Sequence, residues 1–242
     1  MRYLGGKSRT WKQICAFLES VRKPNQTYLE PFVGGAWVLQ GVSGKRIASD
    51  YNQSLITLYQ SLQKGWNPPT EVSLELYKEI QSKKDPLDPL TAFVGFGCSY
   101  SGKWFGGLAR DGSGRNYALN AYNSLTKKVK TFKGVEFFYK SYLDYTPTGY
   151  LIYCDPPYQN TTGYGAVGDF DTDLFWNTMR EWSKSNTVVV SEYQSPSDFE
   201  CVLEIATKTD MRMKDGTKDQ RVERLFMFRG TDPHQVKQLK LE

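Results

Sequence analysis

A three-layer α/β fold on a mostly parallel sheet, closed by an antiparallel edge, is what this 242-residue chain predicts. Two observations carry the prediction. Short runs of strand-forming residues alternate with segments of helical periodicity, which is the pattern of successive βαβ units. The chain then ends on two strand-like runs in succession with only a charged turn between them, and such runs pair antiparallel. No internal repeat or low-complexity segment interrupts this order.

The elements follow in chain order. A β-like run, Thr27–Glu30, leads into Pro31-Phe32-Val33-Gly34-Gly35-Ala36, and the apolar segment behind it is expected to be helical. A short strand, Arg46–Ser49, ends at Asp50. Leu55, Leu58, Tyr59 and Leu62 fall at helical spacing, as do Leu74, Tyr77 and Ile80. Gly95–Asn120 breaks the rhythm and is rich in glycine, aromatics and basic residues. An amphipathic helix bearing Tyr122, Leu125, Val129 and Phe132 restores it. Strands are then expected at Val135–Tyr139 and Tyr150–Cys154. A loop, Gln159–Phe170, precedes a helix that Asp171 can cap, with Phe175, Met179 and Trp182 on one face. Strand Thr187–Ser191 follows, and runs around Cys201–Ile205 and Val222–Phe228 close the chain.

Composition excludes several classes of chemistry. Hydrophobic content of 39% with 24% charged residues is that of a soluble globular chain, long enough for one domain with an insertion. No apolar run approaches the ~20 residues that span a bilayer. Met1–Lys7 lacks a signal-peptide apolar region, so a cytoplasmic location is expected. A net charge of +5 permits a polyanionic partner without demanding one. Cys15, Cys98, Cys154 and Cys201 are widely spaced, which indicates buried thiols and neither a zinc site nor a disulfide framework. The single histidine, His234, lies in the polar tail, so histidine triads and zinc deaminase chemistry are poorly supported. Carboxylates, backbone groups, aromatics and a reactive cofactor remain.

The most informative stretch is Tyr150–Cys154 followed by Asp155-Pro156-Pro157-Tyr158. Two prolines cannot continue a central strand, because each lacks an N–H and fixes φ. The strand therefore stops and offers a carboxylate, a turn with carbonyl acceptors and an aromatic ring. That set suits a flat, amine-bearing heterocycle. An ordinary strand exit with a capping Asp is the bland alternative. Gly34-Gly35 after the first strand suits close approach of backbone to a ligand. The pattern is not G-x-G-x-x-G, so pyrophosphate is disfavoured. Asp50 stands where an acidic residue can bind ribose hydroxyls, so a nucleoside without pyrophosphate fits both facts, as does a plain βα turn followed by a helix-capping Asp.

Tyr3-Leu4-Gly5-Gly6-Lys7, Glu30-Pro31-Phe32-Val33-Gly34-Gly35, Asp50 and Asp155-Pro156-Pro157-Tyr158, in that order, resemble the Dam-like (class D12) DNA adenine N6-methyltransferases. The resemblance extends from Tyr3 to about Phe228, with Ala36 where many relatives have a third glycine. It implies a Rossmann-like methyltransferase sheet, with 1–64 and 134–242 forming the catalytic domain and 65–133 an inserted target-recognition region. It implies S-adenosylmethionine as methyl donor, with no metal. Tyr3, Leu4, Gly5, Gly6 and Lys7 would hold the methionine part, with Lys7 near its carboxylate. Glu30, Pro31, Phe32, Gly34 and Gly35 would line the pocket, Asp50 would take the ribose and Tyr142 would flank the adenine. Asp155, Pro156, Pro157 and Tyr158 would form the catalytic motif, with Asp155 also bordering the cofactor, acting on an adenine flipped out of duplex DNA.

For DNA, Lys103, Arg110, Arg115, Asn116 and Tyr117, with Trp104 and Phe105 among them, form the candidate reading segment. Arginine can bond guanine bidentately and asparagine adenine. Lys127, Lys128, Lys130 and Lys133 suit phosphates or a solvated helix face. The resemblance suggests GATC as target, a monomer, and a cognate restriction enzyme that would act separately. Three other readings compete: an N4-cytosine methyltransferase, disfavoured by Asp rather than Ser before Pro156; a protein-glutamine methyltransferase; and a DNA-binding relative without activity.

Overall fold

The computed structural model describes residues 1–110, 114–157, 170–212 and 218–230. Strands β1 (Thr27–Glu30), β2 (Arg46–Asp50), β3 (Val135–Tyr139), β4 (Tyr150–Cys154), β5 (Thr187–Glu192), β6 (Phe199–Arg212) and β7 (Lys218–Phe228) form one sheet in the order β3-β2-β1-β4-β5-β7-β6. The first five strands run parallel. β7 then inserts antiparallel between β5 and β6, as the closing strand pair requires. The Rossmann-like order reverses between β1 and β4, which pair directly through Leu29 and Ile152.

The central strands are largely apolar because helices cover both faces of the sheet. Period-two alternation sends Tyr28, Leu151 and Tyr153 to one core and Leu29, Ile152 and Cys154 to the other. The second core is closed by helix α6 (Thr172–Ser183), which buries Phe175, Met179 and Trp182 and is capped by Asp171. The first core holds α1 (Trp11–Val21), α2 (Gln53–Gln63), α3 (Leu74–Lys83), the short α4 (Pro89–Ala92) and α5 (Tyr117–Val129). Tyr77, Ile80, Phe93 and Leu125 from the 65–133 segment belong to the same apolar cluster as Leu18, Leu58 and Tyr153. No helix among the described residues is long and apolar enough to cross a membrane.

Two local expectations are corrected. The segment behind Gly35 is not a helix: only a single 3-10 turn, Leu39–Gly41, forms. Gly34 and Ala36 both adopt positive φ (41° and 51°), and the Ala36 N–H closes a turn on the Val33 carbonyl. The helix packed there is α1, whose buried Ile14, Cys15, Phe17, Leu18 and Val21 keep helical spacing. In α5 the buried face is Ala118, Ala121, Leu125 and Lys128, whereas Tyr122 and Val129 are only half-buried.

Candidate active site

Where strand order reverses in an α/β sheet, the loops leaving the carboxyl ends of the two central strands diverge and leave a crevice. Here those loops are Pro31–Ala36 after β1 and Asp155–Pro157 after β4, with Asp50 ending β2 beside them. The Tyr3–Lys7 segment lies across this end, its Leu4 N–H bonded to the Gly102 carbonyl. The result is a cavity of about 350 Å³. Tyr3, Gly5, Gly6, Lys7, Glu30, Pro31, Phe32, Gly34, Gly35, Asp50, Tyr142 and Asp155 all line it, as does Pro157. Leu4 and Pro156 do not line it, and Pro156 is buried. Tyr158 lies outside the described residues.

The glycine loop is fixed from several sides. The Gly34 N–H donates to Asp50 Oδ2 at 2.9 Å, and the Gly34 carbonyl accepts from Tyr59 Oη at 2.5 Å. A Cβ on Gly34 would stand 2.9 Å from the Tyr3 ring, so the loop admits no side chain there. The Asn52 N–H donates to Asp50 Oδ1 at 2.9 Å. Burial nevertheless pushes the Asp50 carboxyl up to about 6, against the pull of these backbone donors. Across the cavity, Phe32 and Tyr142 stack with ring centroids 5.1 Å apart, and Phe170 and Phe175 close around them.

Beneath the loop lies a charge that the sequence did not announce. Lys128 of α5 is buried, donates to the Gly35 carbonyl, and places its ammonium 3.5 Å from the Trp37 ring centroid. Burial holds it down to about 7, although Glu30 acts to raise it. Glu30, also buried, accepts from Tyr28 Oη at 2.7 Å, and burial lifts its carboxyl to about 8. Lys128 is thus a structural part of the site and not a phosphate contact. The signal available was its place on the small-residue face of α5, in register with Ala121 and Leu125.

At the other wall, Lys7 Nζ pairs with Asp155 Oδ1 at 2.8 Å and Glu223 Oε1 at 3.2 Å, and the lysine is only 5% exposed. Burial lowers the Lys7 ammonium, but the two carboxylates more than offset this and hold it above the ordinary lysine value. The resemblance puts Lys7 at a cofactor carboxylate. The structure gives it two carboxylates of the chain itself, because β7 brings Glu223 back beside the end of β4.

The DNA candidates separate into two groups. Lys103, Arg110, Arg115 and Asn116 are exposed, and the latter three border a depression of about 380 Å³ with half-buried Tyr117. Asn116 is engaged within the fold, capping α5 at the Leu119 N–H and donating to the Thr70 carbonyl. Trp104 and Phe105 are not displayed for stacking: Trp104 packs 4.6 Å from Phe96 and 4.7 Å from Phe105, which is buried. Arg2, unremarked in the sequence, lies 4.6 Å from the Tyr117 ring.

Among the described residues no cluster of His, Cys, Asp and Glu could hold a metal ion. No curated protein matches the chain. Residues 3–89, which carry the Tyr3–Lys7 segment, the glycine loop and Asp50, match the family of D12 class N6 adenine-specific DNA methyltransferases.

Proposed function

We propose that the enzyme transfers a methyl group from S-adenosylmethionine to the N6 amine of an adenine flipped out of duplex DNA. One observation carries the reading: Asp155, beyond the matched residues, opens onto the same cavity as the glycine loop and Asp50. Donor pocket and acceptor carboxylate therefore share one space.

The residues present suit the donor. Asp50 offers a fixed carboxylate to ribose hydroxyls, and Phe32 with Tyr142 offers an aromatic wall to an adenine. The volume is within the range of small-molecule sites. S-adenosylmethionine, when bound, supplies an electrophilic methyl group. The chain's own residues do the rest. Adenine's amine is a weak nucleophile because its lone pair is delocalised into the ring. Asp155, which lines the cavity, accepts one of its N–H bonds, drawing the nitrogen toward tetrahedral geometry and freeing the lone pair. The carboxylate then stabilises the positive charge growing on nitrogen and takes the departing proton. Reaching the amine requires the base to leave the stack, at a cost of about a few kcal/mol. Tyr158 is assigned to stack on that base. Lys103, Arg110 and Arg115 are assigned to the DNA, with Arg115 reading a guanine edge.

The test is transfer of labelled methyl from S-adenosylmethionine to duplex DNA, followed by mass spectrometry of the digested nucleosides. The expected product is N6-methyladenine. Label on cytosine or on protein, or none at all, would overturn the reading.

A further inference from the structure

We propose that Glu223, on the closing antiparallel strand pair, is a positioning residue for methyl transfer, holding the Asp155 carboxylate through Lys7. The inference rests on the role given above to Asp155 and extends the site to a strand that no motif marks.

Strand register explains how Glu223 arrives there. Tyr153 of β4 pairs with Val189 of β5, and Ser191 of β5 stands opposite Leu225 of β7. Residues two apart share a face of the sheet, so Asp155, Ser191 and Glu223 all project toward the face that Lys7 covers. Lys7 Nζ bridges Asp155 and Glu223 at 2.8 and 3.2 Å. Ser191 Oγ donates to Glu223 Oε1 and pins the far end. The side chains of Asp155 and Glu223 are only 20% and 14% exposed, so water screens these contacts weakly.

Charge balance gives Glu223 its purpose. A carboxylate that stabilises an incipient cation must retain negative potential at the reacting nitrogen. Lys7 alone would cancel Asp155 and leave the pair neutral. With Glu223 on its other side, the triad carries one net negative charge, and Lys7 becomes a hinge pin, not a quencher. A buried ion pair is weak ground for stability, because desolvation can exceed the Coulombic gain. This triad touches the carboxylate assigned to the reaction, and its value is therefore sought in turnover. Among the described residues, Glu192 on β5, pushed up to about 7 by burial, and buried Glu30 and Tyr153 are further titratable groups facing it.

Steady-state kinetics on duplex DNA test the proposal with Glu223→Gln, Lys7→Met and the double variant. Glu223→Gln keeps the shape and an acceptor for Lys7 and Ser191 but removes the charge. Its kcat is expected to fall roughly tenfold, the scale of coupling within one charged network. KM for S-adenosylmethionine should stay within about twofold, as for an interaction used after binding. The double variant should lose no more than Lys7→Met alone, since the two residues act on Asp155 as a unit. Glu223→Asp, which keeps the charge but withdraws it, should fall between wild type and Glu223→Gln. Wild-type kcat in both Glu223 variants, or losses that multiply in the double variant, would overturn the inference. A rise in KM alone would overturn it too, marking Lys7 and Glu223 as donor-binding groups. Wild-type protein that methylates no DNA would instead sink the functional reading on which the inference stands.

Discussion

Asp50 and Asp155 end two strands of one sheet, yet their surroundings give them opposite work. Each Asp50 oxygen accepts a backbone N–H, which fixes it as a docking point. Asp155 is held by a side-chain ammonium at the cavity wall, the place assigned above to the acceptor of developing charge. Asp155→Ala is therefore expected to lower kcat by about 10²–10³, the scale of losing one transition-state electrostatic partner. Donor affinity by calorimetry should hardly move, and near-normal turnover would refute the role. Asp50→Ala should do the reverse, weakening donor binding by roughly 1.5–3 kcal/mol, as for a lost charge-assisted hydrogen bond, while kcat at saturating donor changes little. Because burial lifts Asp50 to about 6, wild-type donor affinity should also decline as pH falls through that value and the carboxylate is neutralised. A flat calorimetric profile across that range would remove Asp50 from the pocket.

At the scale of elements, the glycine loop shows what periodicity can and cannot convey. β1 to β5, α2, α3 and α6 were legible because each buries a face whose spacing is written locally, and Asp171 announced its helix as a cap. The stretch after Gly35 has the apolar content of a helix. It turns instead because positive φ at Gly34 and Ala36 redirects the chain, and α1 already occupies the adjoining surface. Backbone sign is a tertiary outcome that composition does not carry. Ala36 occupies a left-handed conformation that disfavours any residue with a Cβ, so the loop holds local strain there. Gly34→Ala is expected to cost about 1–2 kcal/mol of backbone strain, with the Tyr3 ring forced aside. Chemical denaturation should show that loss together with weakened donor binding; an unaltered midpoint and affinity would mean that the loop relaxes freely.

For the molecule as a whole, most residues that line the cavity were readable because they occur in compact motifs, whereas Lys128 and Glu223 were not, since each reaches the site only through long-range packing. Their burial has a thermodynamic signature. Glu30, Glu192 and Asp50 are lifted by burial to about 8, 7 and 6. Each holds its proton in the folded state after the unfolded chain has released it. Their contribution to stability is present below the unfolded carboxylate values and is lost as pH rises toward those folded values. Lys128, lowered to about 7, acts oppositely: between that value and the ordinary lysine range the unfolded chain binds the extra proton, so stability rises with pH there. The melting temperature should therefore fall from about pH 5 to pH 7, level off between about 7 and 8, where Glu30 and Lys128 oppose each other, and rise above about pH 8, where Lys128 acts alone. Calorimetric scans check this, and Glu30→Gln should flatten the decline; a melting temperature rising steadily across the same range would contradict it.

The position of Lys128 has a further consequence for communication between ligands. Helix α5 begins immediately after Arg115 and Asn116 and delivers Lys128 to the Gly35 carbonyl near its far end. It is a rigid strut about 20 Å long between the surface assigned to DNA and the loop assigned to the donor. Any ligand that orders one end of a strut biases the other, and such linkage is reciprocal. Duplex DNA should tighten donor binding and donor should tighten DNA binding by the same factor, on the order of fivefold or more. Titrations in both orders measure the two factors. Lys128→Met should disconnect the strut and leave each ligand indifferent to the other, whereas a coupling that survives the substitution would have to travel by another route.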